Sequence, residues 1–283
     1  MLKAIRARAK QGYRTIKYPA GDPPPLPARF RGLPLIDATR CPGLFGAGVV
    51  AGTANDAADG EGAAGEGAAC AECLSSCPTR AISLGAGGRP RIDVGSCLFC
   101  GDCETACPNG AISFSKDYRL AANRREGLIL EAGGEGYARA EAMGRDLKRL
   151  LGRSLKLREV SAGGCNACEA DVNVLGTVGW DLGRFGIQFV ASPRHADGIL
   201  VTGPVTRNME LALRKTWDAI PGPKIAIAVG SCAISGGPFA GHPETLGGMG
   251  STDIPVDLWI PGCPPHPLTI LDGLLRLIGR VKG

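Results

Sequence analysis

The run Cys97-Leu-Phe-Cys100-Gly-Asp-Cys103-Glu-Thr-Ala-Cys107-Pro108 restricts what this chain can fold into more than any other stretch. Four thiols strung this tightly cannot all pair as disulfides of ordinary geometry, because the chain between them is too short. They can wrap a cuboidal iron–sulfur cluster. A fold built on such a run needs tight loops, and the composition allows them: 43 Gly and 21 Pro among 283 residues, with only 5% aromatics.

The run has a partial copy of itself. Cys77-Pro-Thr-Arg-Ala-Ile-Ser83 repeats Cys107-Pro-Asn-Gly-Ala-Ile-Ser113 thirty positions earlier, and Cys70 and Cys73 precede Cys100 and Cys103 by the same offset. That offset puts Gly67 opposite Cys97, so the first copy lacks its leading thiol. A second alignment supplies it. Pro34-Leu-Ile36-Asp37-Ala-Thr-Arg-Cys41 matches Pro90-Arg-Ile92-Asp93-Val-Gly-Ser-Cys97 at Pro, Ile, Asp and Cys, which makes Cys41 the counterpart of Cys97. Between Cys41 and Cys70 lies an insertion, 42–69, in which 17 of 28 residues are Gly or Ala. Such a flexible insertion costs little, since closure entropy grows only with the logarithm of loop length, and it is expected to be mobile. The alternative for Cys41 is a free core thiol beside a three-iron or absent first cluster.

The duplicated unit resembles the two-cluster bacterial ferredoxins, in which the fourth Cys of each run ligates the other cluster. That rule implies one 4Fe–4S cluster on Cys41, Cys70, Cys73 and Cys107, and a second on Cys97, Cys100, Cys103 and Cys77. Zinc also takes Cys-x-x-Cys pairs, but usually as two separated pairs rather than three ligands in one loop followed by Cys-Pro. Ala81, Ile82, Ala111 and Ile112, after the Cys-Pro turns, are expected to form the small core between the clusters.

From residue 153 the texture changes to short apolar runs alternating with helical segments. Strands are expected at 155–160, 188–191, 198–202, 224–229 and 256–260, and helices at 167–178, 205–219 and 267–278, the pattern of a parallel α/β sheet. Four further cysteines follow strand ends: Cys165 and Cys168 the first, Cys232 the fourth and Cys263 the fifth. Ligands of open α/β sheets bind at the carboxyl ends of the strands. Four unrelated buried thiols would not share that placement, so the set reads as one more tetrathiolate cluster. Between the halves, 118–130 reads as a strand pair turning at 123–127, and 137–151 as a helix with a basic end.

Residues 1–32 carry eight basic side chains against Asp22 alone, in a chain of net charge +5. Leu2, Ile5, Ala9, Tyr13 and Ile16 fall on one face of a helix, which suits an anionic membrane surface, a partner subunit or a merely solvated helix. Nucleic acid is disfavoured, since no stacking aromatics accompany the charge. The first residues lack the apolar core of a secretory signal, and no stretch reaches the roughly 18 apolar residues of a membrane span. Twelve cysteines in a reducing, cytoplasmic setting point to metal rather than disulfides.

Gly163-Gly-Cys165-Asn-Ala-Cys168-Glu169, Phe189-Val-Ala-Ser-Pro-Arg-His195-Ala-Asp197, Val201-Thr-Gly-Pro-Val-Thr-Arg207-Asn208-Met209, Val229-Gly-Ser-Cys232-Ala and Pro261-Gly-Cys263-Pro-Pro265 together carry a second resemblance. Residues 153–283 resemble the small-subunit family shared by nickel–iron hydrogenases and respiratory complex I, most of all the membrane-bound, formate hydrogenlyase-type hydrogenases. Complex I members carry two adjacent cysteines where this chain has Cys165-x-x-Cys168, as the hydrogenases do. The resemblance implies a flavodoxin-like α/β domain with a proximal 4Fe–4S cluster on Cys165, Cys168, Cys232 and Cys263, fused behind a two-cluster ferredoxin domain. It implies three clusters in all and no catalytic centre of the chain's own. The expected partners are a hydrogenase or complex I-type large subunit, membrane-arm subunits, and an electron donor or acceptor protein, on the inner face of the cell membrane. The expected organisation is a basic helix and Pro-rich arm over 1–29, the ferredoxin domain over 30–131, a linker helix over 132–152 and the α/β domain over 153–283. Glu169, beside a ligand, reads equally as a proton-transfer group or as a structural charge. His266 reads as a neighbour of the cluster rather than a ligand, and His195 and His242 as packing or surface residues. The rivals are a complex I-like quinone oxidoreductase relay and a zinc-stabilised binding module.

Overall fold

The computed structural model describes residues 2–41, 43, 71–85, 88–132 and 137–281. Apart from residue 43, the insertion lies outside the described residues, as does Cys70.

Strands β1 (Pro34–Ile36), β2 (Ile82–Leu84), β3 (Pro90–Asp93), β4 (Ile112–Phe114) and β5 (Ile129–Glu131), with helices α2 (Glu72–Ser75) and α3 (Asp102–Ala106), build the N-terminal half. Its duplication is visible in the pairing. β1 runs antiparallel to β4 with Ile36 opposite Ile112, and β3 antiparallel to β2 with Ile92 opposite Ile82. The residues that match in sequence therefore take the same register. The turns repeat too: the Asp37 N–H donates to Ala111 O and the Asp93 N–H to Ala81 O, both at 2.8 Å. Each carboxylate then caps the turn that delivers a cysteine, Asp37 accepting from Thr39 N–H and Asp93 from Gly95 N–H. Ala81, Ile82, Ala111 and Ile112 are buried, as expected.

The C-terminal half holds β6 (Leu155–Ser161), β7 (Ile187–Phe189), β8 (Gly198–Thr202), β9 (Ile225–Val229) and β10 (Leu258–Ile260), all parallel, in the order β10-β9-β8-β6-β7. The sequences Gly-Ile-Leu-Val-Thr and Ile-Ala-Ile-Ala-Val of β8 and β9 are buried throughout, as a parallel strand covered on both faces requires. Helices α5 (Ala167–Val174), α6 (Arg207–Asp218), α7 (Ser231–Ser235) and α8 (Pro267–Leu277) follow strands. Pro267 opens α8, where no backbone donor is needed, and His266 Nδ1 accepts the Leu268 N–H at its cap. Every residue of α8 is buried, including Asp272 and Arg276.

The sheet and α5 supply most of that burial, and the N-terminal half completes it. Tyr18 and Ala121 lie in one core with α8, and Ala122 and Leu128 in another with β8 and β9. Ala122 bridges Trp259 of β10 in an antiparallel contact. Here the expected strand pair over 118–130 is replaced: 125–128 is a short 3-10 turn and only β5 is a strand. The competing partner is the edge of the α/β sheet, which takes residue 122. The helix expected over 137–151 is confined to α4 (Arg145–Leu151). Residues ahead of it give their backbone donors elsewhere, Ala140 N–H to Ala121 O and Met143 N–H to Leu277 O. The first helix, α1 (Leu2–Gln11), buries none of its residues.

Candidate iron–sulfur centres

The thiols gather as three sets. Cys97, Cys100, Cys103 and Cys77 lie together on the loop before α3, on α3, and on the turn after α2. Burial pushes the Cys97 thiol up to about 12; the Phe99 N–H, 3.3 Å from its Sγ, opposes this, and the neighbouring Cys103, Cys77 and Cys100 add to it. Burial likewise raises Cys103 to about 12, with Cys100, Cys77 and Cys73 contributing. Gly101 adopts a left-handed φ of 87° between Cys100 and Cys103, and the Arg31 guanidinium occupies the space where a Cβ would stand.

Cys41, Cys73 and Cys107 line one cavity with Leu84 and Ile112. Cys70, the fourth member expected there, is outside the described residues. The duplicated turns treat their cysteines alike: the Ala81 N–H donates to Cys77 Sγ and the Ala111 N–H to Cys107 Sγ, both at 3.2 Å. Such donors stabilise thiolate sulfur.

Cys165, Cys168, Cys232 and Cys263 lie beyond the carboxyl ends of β6, β9 and β10, near enough to influence one another. Burial raises Cys168 strongly, followed by Glu169, Cys232, Cys263 and Cys165. Burial also pushes Cys232 up to about 11, followed by Cys263, Cys165 and Glu169. Gly230, at φ 90°, makes room for this set: a Cβ there would stand 2.5 Å from Cys168 Sγ. Cys165 and Cys263 are exposed, so the set opens onto the surface of the chain.

The donor sets fit a polynuclear iron centre. Cys97, Cys103, Cys168 and Cys232 resist ionisation because burial disfavours the thiolate and the neighbouring thiolates repel it, and a bound cationic core would offset both. Among the described residues, no three His, Cys, Asp or Glu side chains are grouped to hold a single metal ion, so the sets are read as donors spread around a larger cluster.

The sets are also neighbours of one another. Cys103 of the second feels Cys73 of the first, and Cys263 of the third feels Cys100 of the second. Cys263 lines a cleft together with Arg31, Phe99, Pro264 and His266.

Glu169 is buried (6% exposed) and its Oε1 accepts from Ser161 Oγ at 2.6 Å and Thr202 Oγ1 at 2.7 Å. Burial works to raise its carboxyl, but these two donors prevail and hold it below the ordinary range. His266 packs edge-on against Phe30 and Trp180 and spends Nδ1 on the cap of α8. His195 and His242 are exposed. Asp197 accepts the Lys156 N–H at the start of the sheet. Sequence reasoning passed over Ser231, whose hydroxyl reaches Cys97 O; its signal was its position between Gly230 and Cys232, an expected ligand.

Residues 165–277 match the family described as NADH ubiquinone oxidoreductase, 20 Kd subunit, and residues 68–117 match the 4Fe-4S dicluster domain. The chain is 40% identical over 141 residues to the probable membrane-bound hydrogenase subunit mbhJ of Pyrococcus furiosus, a match covering 48% of this chain and 84% of that protein. It is 41% identical over 141 residues to formate hydrogenlyase subunit 7 of Escherichia coli, covering 50% of this chain and 55% of the relative. It is 42% identical over 118 residues to an NADH-quinone oxidoreductase subunit of Bacteroides thetaiotaomicron, covering 41% of this chain and 59% of the relative. With a ferredoxin-type dicluster domain set ahead of the parallel sheet, the chain belongs to the family of the 20 Kd NADH ubiquinone oxidoreductase subunit and is an iron–sulfur electron-transfer subunit of an oxidoreductase complex.

Proposed function

We propose that the chain serves as a three-centre relay between a donor or acceptor protein and the nickel–iron site of a large partner subunit, in a membrane-associated hydrogenase complex of formate hydrogenlyase type. The observation that carries this reading is the neighbour order of the thiol sets, in which Cys73 adjoins Cys103 and Cys100 adjoins Cys263. The ligand sets are Cys41, Cys70, Cys73 and Cys107 at the outer end; Cys97, Cys100, Cys103 and Cys77 in the middle; and Cys165, Cys168, Cys232 and Cys263 at the partner-facing end. When bound, a 4Fe–4S cluster at each set supplies a one-electron redox centre. The chain's own residues hold these positions fixed, exclude water from the buried thiols and aim N–H groups at their sulfurs, which favours the reduced form.

The strand order, read within the domain as second, first, third, fourth, fifth, is the flavodoxin-like one, and its carboxyl edge is where such sheets take ligands. The domain limits proposed are 1–29, 30–131, 132–152 and 153–283. Exposure of Cys165 and Cys263 supports a partner subunit covering the third set. No helix of the described residues is long and apolar enough to cross a membrane. Attachment would then be peripheral, on the inner face of the cell membrane through membrane-arm subunits, with the basic α1 contributing.

The two-residue spacing of Cys165 and Cys168 favours the hydrogenase over the complex I-like quinone oxidoreductase, whose family members carry adjacent cysteines. Metal analysis of the purified complex tests this. The expected result is about 12 iron and about as much acid-labile sulfide per chain, with nickel in the co-purifying large subunit and hydrogen evolution. Iron without nickel or hydrogen evolution would transfer the reading to the quinone-type relay. Zinc in a colourless protein would end both.

A further inference from the structure

The hydroxyl of Ser231 lies 2.6 Å from the carbonyl oxygen of Cys97 and is buried, with Ser231 1% exposed. It has one proton to give. Gly262 O, at 3.2 Å, is the longer contact and already accepts Ser231's own N–H at 2.9 Å, so the proton goes to Cys97 O. Ser231 is covalently joined to Cys232, of the third thiol set, while Cys97 belongs to the second. A single hydrogen bond thus closes a bonded chain from one ligand loop to the other, across 134 positions of sequence.

The rest of α7 supports this contact. Ser231, Ile234 and Ser235 share one helix face by their spacing. A Cβ on Gly95 would stand 2.8 Å from Ile234 Cγ2, so the strand-to-loop segment ahead of Cys97 lies directly against α7. Ser235 Oγ approaches Gly95 O at 3.4 Å, a weaker link on the same face. Cys232 projects elsewhere, towards Cys263 and Cys165.

We propose that Ser231 is the positioning residue that couples the middle and partner-facing centres, its hydroxyl joining the Cys97 loop to the Cys232 loop as the bonded path between them. This rests on the relay reading above. A single electron leaves the reduced centre and is gained by the oxidised one; the hydroxyl proton stays on Ser231, and no further reactant is needed.

The test compares Ser231→Ala with Ser235→Ala in the full chain within its complex. Ser231→Ala is expected to keep its iron content, since no thiol is touched. Amides of 97–101 should exchange about fivefold faster, the ratio that one net hydrogen bond is worth. Electron transfer between the two centres after flash reduction should slow several-fold, while the dipolar splitting between the reduced centres, which reports their separation, stays unchanged. Ser235→Ala should match the unsubstituted protein in transfer rate. An unchanged rate in iron-replete Ser231→Ala overturns the proposal, as does equal slowing in both variants, or slowing that merely follows a larger separation. Lack of iron in the unsubstituted protein would instead sink the relay reading itself, which keeps the two failures apart.

Discussion

Single residues shape the proposed third centre and set how the chain responds to pH. Gly230 combines φ 90° with the approach of Cys168 Sγ, so a side chain there is excluded twice, by conformation and by space. Gly230→Ala is expected to lose about four of the chain's iron atoms and the spectroscopic signal of one centre, leaving the ferredoxin-type pair. Iron analysis with low-temperature magnetic resonance checks it. Glu159 presents the opposite situation to Glu169. Its Oε1 is buried without a hydrogen-bond partner, and burial, followed by repulsion from Glu169, lifts its carboxyl to about 7. The folded state therefore keeps a proton that the unfolded chain releases above its ordinary value of about 4.3. Stability falls as pH rises through that window, and the full penalty is present above pH 7. Glu159→Gln should raise the melting temperature at pH 8 and show little benefit near pH 4; an equal gain at both would show that ionisation is not the cause.

At the scale of elements, the duplicated β-turn unit is what gives Cys41 a role. β1 copies the register of β3 and Asp37 copies the cap of Asp93, so Cys41 is delivered beside Cys73 and Cys107 despite the insertion that follows it. Cys41→Ser is expected to lose or convert one ferredoxin-type centre while the set on Cys165 survives. Unchanged iron would show that Cys41 is not a ligand. α1 is the contrasting element. Its Leu2 and Ile5 are exposed, and the chain is tied down only from Thr15 onward, where Thr15 Oγ1 and Ile16 N–H donate to Val178 O and Gly179 O. Deleting residues 2–11 should leave the melting temperature and iron content as they were while weakening attachment to the complex or to anionic vesicles. A large drop in melting temperature would mean that α1 packs in solution.

Over the whole molecule, the two halves share cores: Tyr18, Ala121 and Ala140 join the one that holds helix α8, and Ala122 and Leu128 the one with β8 and β9. Tyr18 donates to Asp272 Oδ1 at 2.6 Å, and Arg276 Nε to Asp272 Oδ2 at 2.7 Å, all three buried. A buried carboxylate that loses a donor keeps its desolvation cost. Tyr18→Phe is therefore expected to destabilise the chain by about 1–3 kcal/mol, measurable by denaturant unfolding, with the iron signals retained while it is folded.

The cysteine runs, the duplication and the alternation of strand and helix were legible in the order of residues, because each rests on spacing within a short stretch of chain. Cys77 and Cys107 announce themselves by the Cys-Pro turn, and the five strands by apolar runs that suit a sheet buried on both faces. The strand pair expected over 118–130 failed for the same reason in reverse: local pattern could not show that residue 122 would find Trp259 of β10. Which thiol set adjoins which, the hydroxyl of Ser231 on Cys97, and the hold of Tyr18 on Asp272 were decided only by tertiary packing. Those contacts join residues 134 and 254 positions apart, and no periodicity along a chain records what lies across a core from it.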